Sequence, residues 1–408
     1  MSNFNSRSRY MLSAVLLVIA IPYGLRIYRI IFLIFPIARV IQPIEDFPYN
    51  CERFEHPLLE GCEDIWLDHQ GRKLYAACST IATRTGWSPG GDMFNVSARD
   101  QLDHISVMDI DEPGSDGLYG VRQLKVGAAY KDSLDLHGFD VRRIGDQLRF
   151  WLINHRPPMD PETGVPLDAF KVGANSTIEI FDLNQATNTL EHLKTIVSDA
   201  IVTPNGLAID ADGVGFAVTN DHTIKSGLYR ALELLVGGGS VSYCNSDSGE
   251  CQIVTRENCN MANGIVNIGN GHFLVSQSGT GVVVAYQLQG EKMIQAGVLD
   301  LEVPLDNLSL DPEGNIFVAA FPNVRYLWEA MLNPYTVSSP AAAFRISPQA
   351  LRAERPSNNE FPVLKVVEDR DGKRLPTTTV VVHDAKTNRL FLAGVTSPFI
   401  GICMMRSL

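Results

Sequence analysis

The chain has 408 residues, 45% of them apolar and only 20% charged, with a formal net charge of −12. That composition excludes a disordered chain, whose apolar content is too low to offset the entropy of ordering. The acidic balance argues against nucleic acid as the main partner, since phosphate binding needs a basic face, and it is compatible with binding cations.

The first predicted element is hydrophobic. Met11 to Leu25 (MLSAVLLVIAIPYGL) is an almost unbroken apolar run behind Arg7 and Arg9, and a second run, Ile30 to Pro36, follows Arg26 and Arg29. The first run falls slightly short of the roughly 17–25 apolar residues of a spanning helix, but no A-x-A cleavage site follows Leu25. Residues 1–44 therefore read as an N-terminal hydrophobic helix serving as signal-anchor, with a cleaved signal peptide as the alternative. Residues 45–408 are expected on the lumenal or extracellular side of the secretory pathway, membrane-anchored or secreted. Seven cysteines suit that compartment, as do glycosylation sequons at Asn95 and Asn175 in polar stretches. A third sequon, at Asn307, falls where no glycan is expected.

Beyond residue 45 the chain repeats one unit: a polar pair, a short apolar strand, a turn and a second apolar strand. It appears as EDIWLDHQGRKLYAA from Glu63, HGFDVRRIGDQLRFWLINH from His137 and NGLAIDADGVGFAVTND from Asn205. It returns as NGIVNIGNGHFLVSQ from Asn263, LDNLSLDPEGNIFVAAFPN from Leu305 and TTVVVHDAKTNRLFLAGV from Thr378. Between the hairpins lie further strand-like runs, at His104–Asp111, Ser176–Leu183, Gly227–Leu234, Gly281–Leu288 and Ala341–Pro348. Six hairpins, each followed by two more strands, with almost no helix after the N-terminal segment, predict an all-β six-bladed propeller.

A ring must close, and Cys51 and Cys403 lie just outside the first and last hairpins. A bridge between them would join the two ends of the chain within one blade; the alternative is two unrelated buried thiols. Cys62 and Cys78 flank the first hairpin and are candidates to pair across it.

The innermost strand of each blade lines the axis, so the starts of these strands converge on one end of the tunnel. They carry Glu63-Asp64, His137-Gly138, Asn205-Gly206, Asn263-Gly264 and Asp306-Asn307. Asn-Gly and Asp-Asn are ordinary turn formers in any one blade. Carboxylates and amides registered across five blades form the hard oxygen set that Ca²⁺ takes, whereas zinc prefers Cys or more His. His137 and His155 open and close one hairpin and His222 ends the returning strand of the next, so all three reach the same mouth as candidate general bases.

At these residues the sequence resembles the paraoxonase/arylesterase family of calcium-dependent lactonases, from about Cys51 to Cys403. The resemblance is carried by GCEDIWLD, LDLHGF, LINHRP, TPNGLAI, VTNDH, MANGIVNI, LDNLSLDPEGNIFVAAFPN and the terminal cysteines. It implies a catalytic calcium held by Glu63, Asn205, Asn263, Asp306 and Asn307, a histidine dyad of His137 and His155, a further active-site histidine at His222, and a Cys51–Cys403 bridge. It also implies a second, structural calcium at Asp64 and the backbone carbonyl of Phe139, although Gly206 stands where the family has an aspartate ligand. Phe321 replaces a histidine that family members often carry at the mouth.

The implied reaction is hydrolysis of a lactone or aryl ester, with calcium polarising the carbonyl and His137, supported by His155, activating water. The insertion Phe321–Val337 reads as an apolar lid or a surface helix. Competing readings are a metal-stabilised propeller that serves only as an interaction platform, and a strictosidine-synthase-like condensing enzyme.

Overall fold

The computed structural model describes residues 21, 24–37, 39–347 and 363–406. Six sheets of four or five strands radiate from a common axis. Blade one holds Asp64–Asp68, Lys73–Cys78, His104–Asp109 and Arg122–Gln123; blade two holds Leu136–Ile144, Gln147–Arg156, Asn175–Asn184 and Thr189–Ile196, with Lys125–Val126 added at its edge in parallel. Blades three, four and five begin at Pro204–Ile209, Ala262–Gly269 and Leu305–Leu310. Each of these inner strands adjoins the next, and that of blade six, Val380–Asp384, adjoins blade one, so the ring is closed.

Closure uses both ends of the chain. Tyr49–Phe54 is the outermost strand of blade six, antiparallel to Ile400–Met405, and places Cys51 directly opposite Cys403. The two are disulfide-bonded, as are Cys62 with Cys78 and Cys244 with Cys251, while Cys259 is a buried thiol. The Cys244–Cys251 bridge spans the two outer strands of blade three.

Apolar residues on the two faces of each blade pack against its neighbours, so the core is divided into interblade layers. Leu67 and Leu74 of blade one meet Val382 and Phe391 of blade six, and Trp151 of blade two meets Ile209 and Phe216 of blade three. Because strand side chains alternate between faces, a blade buried on both sides needs apolar residues at nearly every position. The strand Ile316–Ala320 (IFVAA) is buried throughout for this reason.

Of the expected strand runs, Gly227–Leu234 is different. It forms a helix, Leu228–Val236, and the third strand of blade three is Ser240–Asn245. Shorter helices occur at Ile81–Gly86 and Ala169–Val172, and Val324–Leu332 is helical within the expected insertion.

The run Met11–Leu25 lies mostly outside the described residues. Its neighbour is helical over residues 24–34 and lies against the blades, with Ile30 and Leu33 buried. Arg29 pairs with Asp300, and Arg39 just beyond donates to the Pro322 carbonyl at 2.8 Å. Among the described residues no helix is long and apolar enough to cross a membrane.

Candidate active site

In four blades the polar pair occupies a β-bulge at the head of the inner strand. Pro204 faces Asn220 and Leu207 faces Val218, so Asn205 and Gly206 together oppose one residue, Thr219. The same two-against-one register holds for His137-Gly138, Asn263-Gly264 and Asp306-Asn307. A bulge interrupts the ladder and re-aims side chains, here toward the axis. The glycines leave room for the next blade: a Cβ at Gly138 would lie 2.3 Å from the Asn205 carbonyl oxygen, and one at Gly264 would lie 2.5 Å from the Asn307 Cα. The glycine-bearing pairs thus do more than turn the chain; they let neighbouring blades approach closely enough for their polar residues to converge.

Glu63, Asn205, Asp306 and Asn307 are buried, Asn263 is half-buried, and Glu63, Asn205, Asn263 and Asp306 share one cavity floor. Asn307 Nδ2 donates to Glu63 Oε1 at 2.9 Å. Glu63 Oε2, Asn205 Oδ1 and Asn263 Oδ1 are buried without a hydrogen-bond partner. Orphaned buried oxygens are costly unless something binds them. Burial pushes the Glu63 carboxyl up to about 7 despite Arg84 and the Asn307 amide; burial and then the Glu63 charge push Asp306 up as well. Carboxylates held close and away from water call for a cation. Among the described residues no three His, Cys, Asp or Glu form a metal-binding group, so this set depends on its amides. Oxygen-only donors of mixed charge fit calcium.

The histidines come together beside these oxygens. The His137 and His155 rings lie 5.0 Å apart, both buried, and His137 Nε2 is 3.9 Å from Glu63 Oε1. His155 Nδ1 is hydrogen-bonded to Ser176 Oγ at 2.8 Å, and the Trp87 indole donates to the His155 carbonyl at 2.9 Å. Burial, then the Arg84 charge, lowers the His137 imidazole to about 4; burial, then His137, lowers His155 well below its usual value. Both rings are therefore neutral at physiological pH. His222 is fixed through Nδ1 by Asp221 Oδ1 at 2.8 Å. Burial alone would raise the Asp221 carboxyl, but His222 and Arg230 hold it well below the usual carboxylate range.

Above this floor opens a cavity of about 590 Å³ with apolar walls, including Phe321, Leu327, Trp328 and Met331 from the 321–337 insertion and Leu33 to Phe35 from the helix at 24–34. The insertion is both a surface helix and a wall of the cavity. His137 and His222 line this space, while His155 sits behind, in a smaller pocket.

Several contributing residues carry no sequence signal. Arg84, on the short helix Ile81–Gly86, is buried and donates to the carbonyls of Gly61 and Leu136, the first two residues before Glu63 and the second immediately before His137. Arg230, buried on the helix Leu228–Val236, holds the segment over the histidines through Pro89 and Asp92. In that segment a Cβ at Gly90 would lie 3.1 Å from the His137 ring.

The sequons differ in setting. Asn95 is exposed and caps a short 3₁₀ turn, whereas Asn175 is half-buried at the start of a strand, not in a loop, with Ser176 and Thr177 buried beside it. Asn307 is buried on the axis.

The family model described as Arylesterase matches residues 169–396, more than half of the chain. The chain is 27% identical to serum paraoxonase/arylesterase 2 of Homo sapiens over 193 residues, covering 45% of this chain and 50% of that protein, so it spans half the length of that relative. It is 27% identical to serum paraoxonase/lactonase 3 of Rattus norvegicus over 292 residues, covering 70% of this chain and 72% of that protein. Among solved structures, a luciferin-regenerating enzyme aligns with a TM-score of 0.49 at 15% identity, covering 87% of this chain and 95% of that one. With its family model matched over most of blades two to six, the chain belongs to the arylesterase family.

Proposed function

We propose that the protein is a calcium-dependent hydrolase of lactones or aryl esters. The observation that carries this reading is the set of orphaned oxygens, Glu63 Oε2, Asn205 Oδ1 and Asn263 Oδ1, on the floor of an apolar cavity beside His137. The relatives named paraoxonase, arylesterase and lactonase support the reaction class.

Glu63, Asn205, Asn263, Asp306 and Asn307 would hold the ion. When bound, calcium would supply an electrophile for a substrate carbonyl and stabilisation for the charge developing on its oxygen. The apolar walls would take the acyl or aryl part and exclude water from the ester bond. His137, kept neutral by burial, would accept the proton of the attacking water at a ring nitrogen; neither ring nitrogen has a partner in the resting protein. His155 Nε2, also unpartnered, stands ready to share that proton, while Ser176 fixes its ring. His222, its Nδ1 held by Asp221, would face the substrate from the cavity wall, and the proton taken up at His137 would pass to the leaving oxygen.

We also propose residence in the secretory pathway, supported by three disulfides, which persist in oxidising compartments. Exposed Leu228 and Tyr229 on the helix Leu228–Val236, and Trp328 and Leu332 on the helix Val324–Leu332, two helices that each contribute to the cavity wall, support a position at a membrane surface, with the N-terminal run as anchor.

The test is turnover of phenyl acetate and a δ-lactone by the full chain. Hydrolysis should vanish with chelator, return with calcium, and fall sharply in His137→Asn. Turnover indifferent to chelator would refute the reading.

A further inference from the structure

The tunnel continues below the oxygen ring as a cavity of about 270 Å³ whose lining includes Asp64, Phe139, Asp140, Arg142 and Gly206. The resemblance to the family implies a second calcium at Asp64 and Phe139, and the residues present do not fit one. Asp64 Oδ1 accepts the Ile65 N–H at 2.9 Å and Oδ2 accepts the Phe139 N–H of the next blade at 3.0 Å. Asp140 repeats the arrangement one blade on, accepting from Val141 at 2.8 Å and from Ile209 at 3.1 Å. Asp64 and Asp140 are thus already engaged in joining one inner strand to the next.

The remaining position supplies nothing. Gly206 has no side chain, and a Cβ there would lie 2.9 Å from the Asn263 carbonyl oxygen and 3.2 Å from the Gly264 Cα. Thr219 Oγ1 fills the bulge, bonding the Gly206 N–H and the carbonyls of Gly206 and Asn263. A cation is also resident: the Arg142 guanidinium lies within the field of Asp140 and donates to the Ile209 carbonyl. A divalent ion needs about six oxygens, several of them anionic. Here Asp64 and Asp140 are held by backbone N–H groups, Asp311 is held by His383 and Asn315, and a guanidinium lies in the field of Asp140.

We infer that this chain takes a single divalent ion, and that blade-to-blade hydrogen bonds with Arg142 replace the second ion in organising the tunnel. The inference rests on the calcium reading above, and the stoichiometry separates the two. Full-length protein equilibrated with calcium and then desalted is analysed for metal per chain, and chelator-stripped protein is titrated calorimetrically with calcium. One ion per chain supports the inference. Two ions overturn it while leaving the hydrolase reading standing; none overturns both.

Gly206→Asp restores the missing carboxylate. It should not add an ion, and it should weaken the existing one by about tenfold or more, because Asn263 must move; a gain to two ions would overturn the claim that the space is closed. Should that variant fail to fold, Asp64→Asn serves instead. Its metal count should remain one, and a count of zero would show that Asp64 ligates the ion after all.

Discussion

Asn307 donates from Nδ2 to Glu63 Oε1 across the axis at 2.9 Å, although the two residues are 244 positions apart. The contact joins blade five to blade one at the point where the other polar residues converge. Asn307 also occupies the bulge position that blades two, three and four fill with glycine. Asn307→Ala keeps the backbone and removes the amide. Calcium affinity should fall by about 10–100-fold, measured by competition with a fluorescent chelator; unchanged affinity would remove Asn307 from the site.

Arg84 is the positioning residue whose loss should be felt most. It donates at 3.1 Å to Gly61 and at 2.5 Å to Leu136, linking the segments that carry Glu63 and His137. Arg84→Met leaves two buried carbonyls without a donor and should cost about 3 kcal/mol in urea unfolding. It should also lower kcat more than it changes KM, and Arg84→Lys should recover part of the loss. Wild-type kinetics in a destabilised Arg84→Met protein would reduce the residue to a structural role.

On the wall of the lower tunnel cavity, His383 and Asp311 give a pH signature of stability. Burial disfavours the His383 cation, but hydrogen bonds to Asp311 at 2.8 Å and Asn388 at 2.9 Å outweigh it, and the imidazole is raised above its ordinary value. Asp311 shows the converse: burial would raise it, yet bonds from His383 and Asn315 lower it. The histidine contribution is complete below the unfolded imidazole value of about 6.5 and is lost as pH rises through the folded value. The aspartate contribution is present above about 4 and is lost as pH falls through its lowered folded value. The melting temperature of wild type relative to His383→Gln should therefore be highest in mildly acidic buffer and narrow toward pH 8. A difference that grows with pH would contradict the pairing.

The ring closure is testable through Cys51 and Cys403, which connect the chain's N-terminal and C-terminal strands where they pair side by side in blade six. Replacing both by alanine should destabilise the protein by about 2–5 kcal/mol, with exposure of the Tyr49–Phe54 strand to limited proteolysis before the other blades. Simultaneous loss of all blades at an unchanged midpoint would contradict this.

The propeller was legible because one unit, two short apolar strands around a turn, recurs along the chain, and the polar pairs were legible because they recur at the same position. Two kinds of feature were not. The helix Leu228–Val236 reads as a strand because its pattern is inverted: Arg230 and Glu233 face inward while Leu228, Tyr229 and Leu232 are exposed. That inversion makes sense only once Asp92, Asp221 and the Thr223 backbone are seen to receive the buried charges. Arg84 likewise acts through carbonyls 23 and 52 residues away, and a carbonyl leaves no trace in residue identity. The bulges, too, are a matter of register, which Asn-Gly suggests and only strand pairing decides.

The most direct test of the central claim is a calcium titration of chelator-stripped full-length protein, following melting temperature and phenyl acetate turnover in the same samples. At calcium one hundredfold above its dissociation constant the folded state gains about 2.7 kcal/mol. The two readouts should rise along a single binding curve with one midpoint. Turnover already complete in the stripped protein, while the melting temperature climbs, would contradict a metal at the reacting centre.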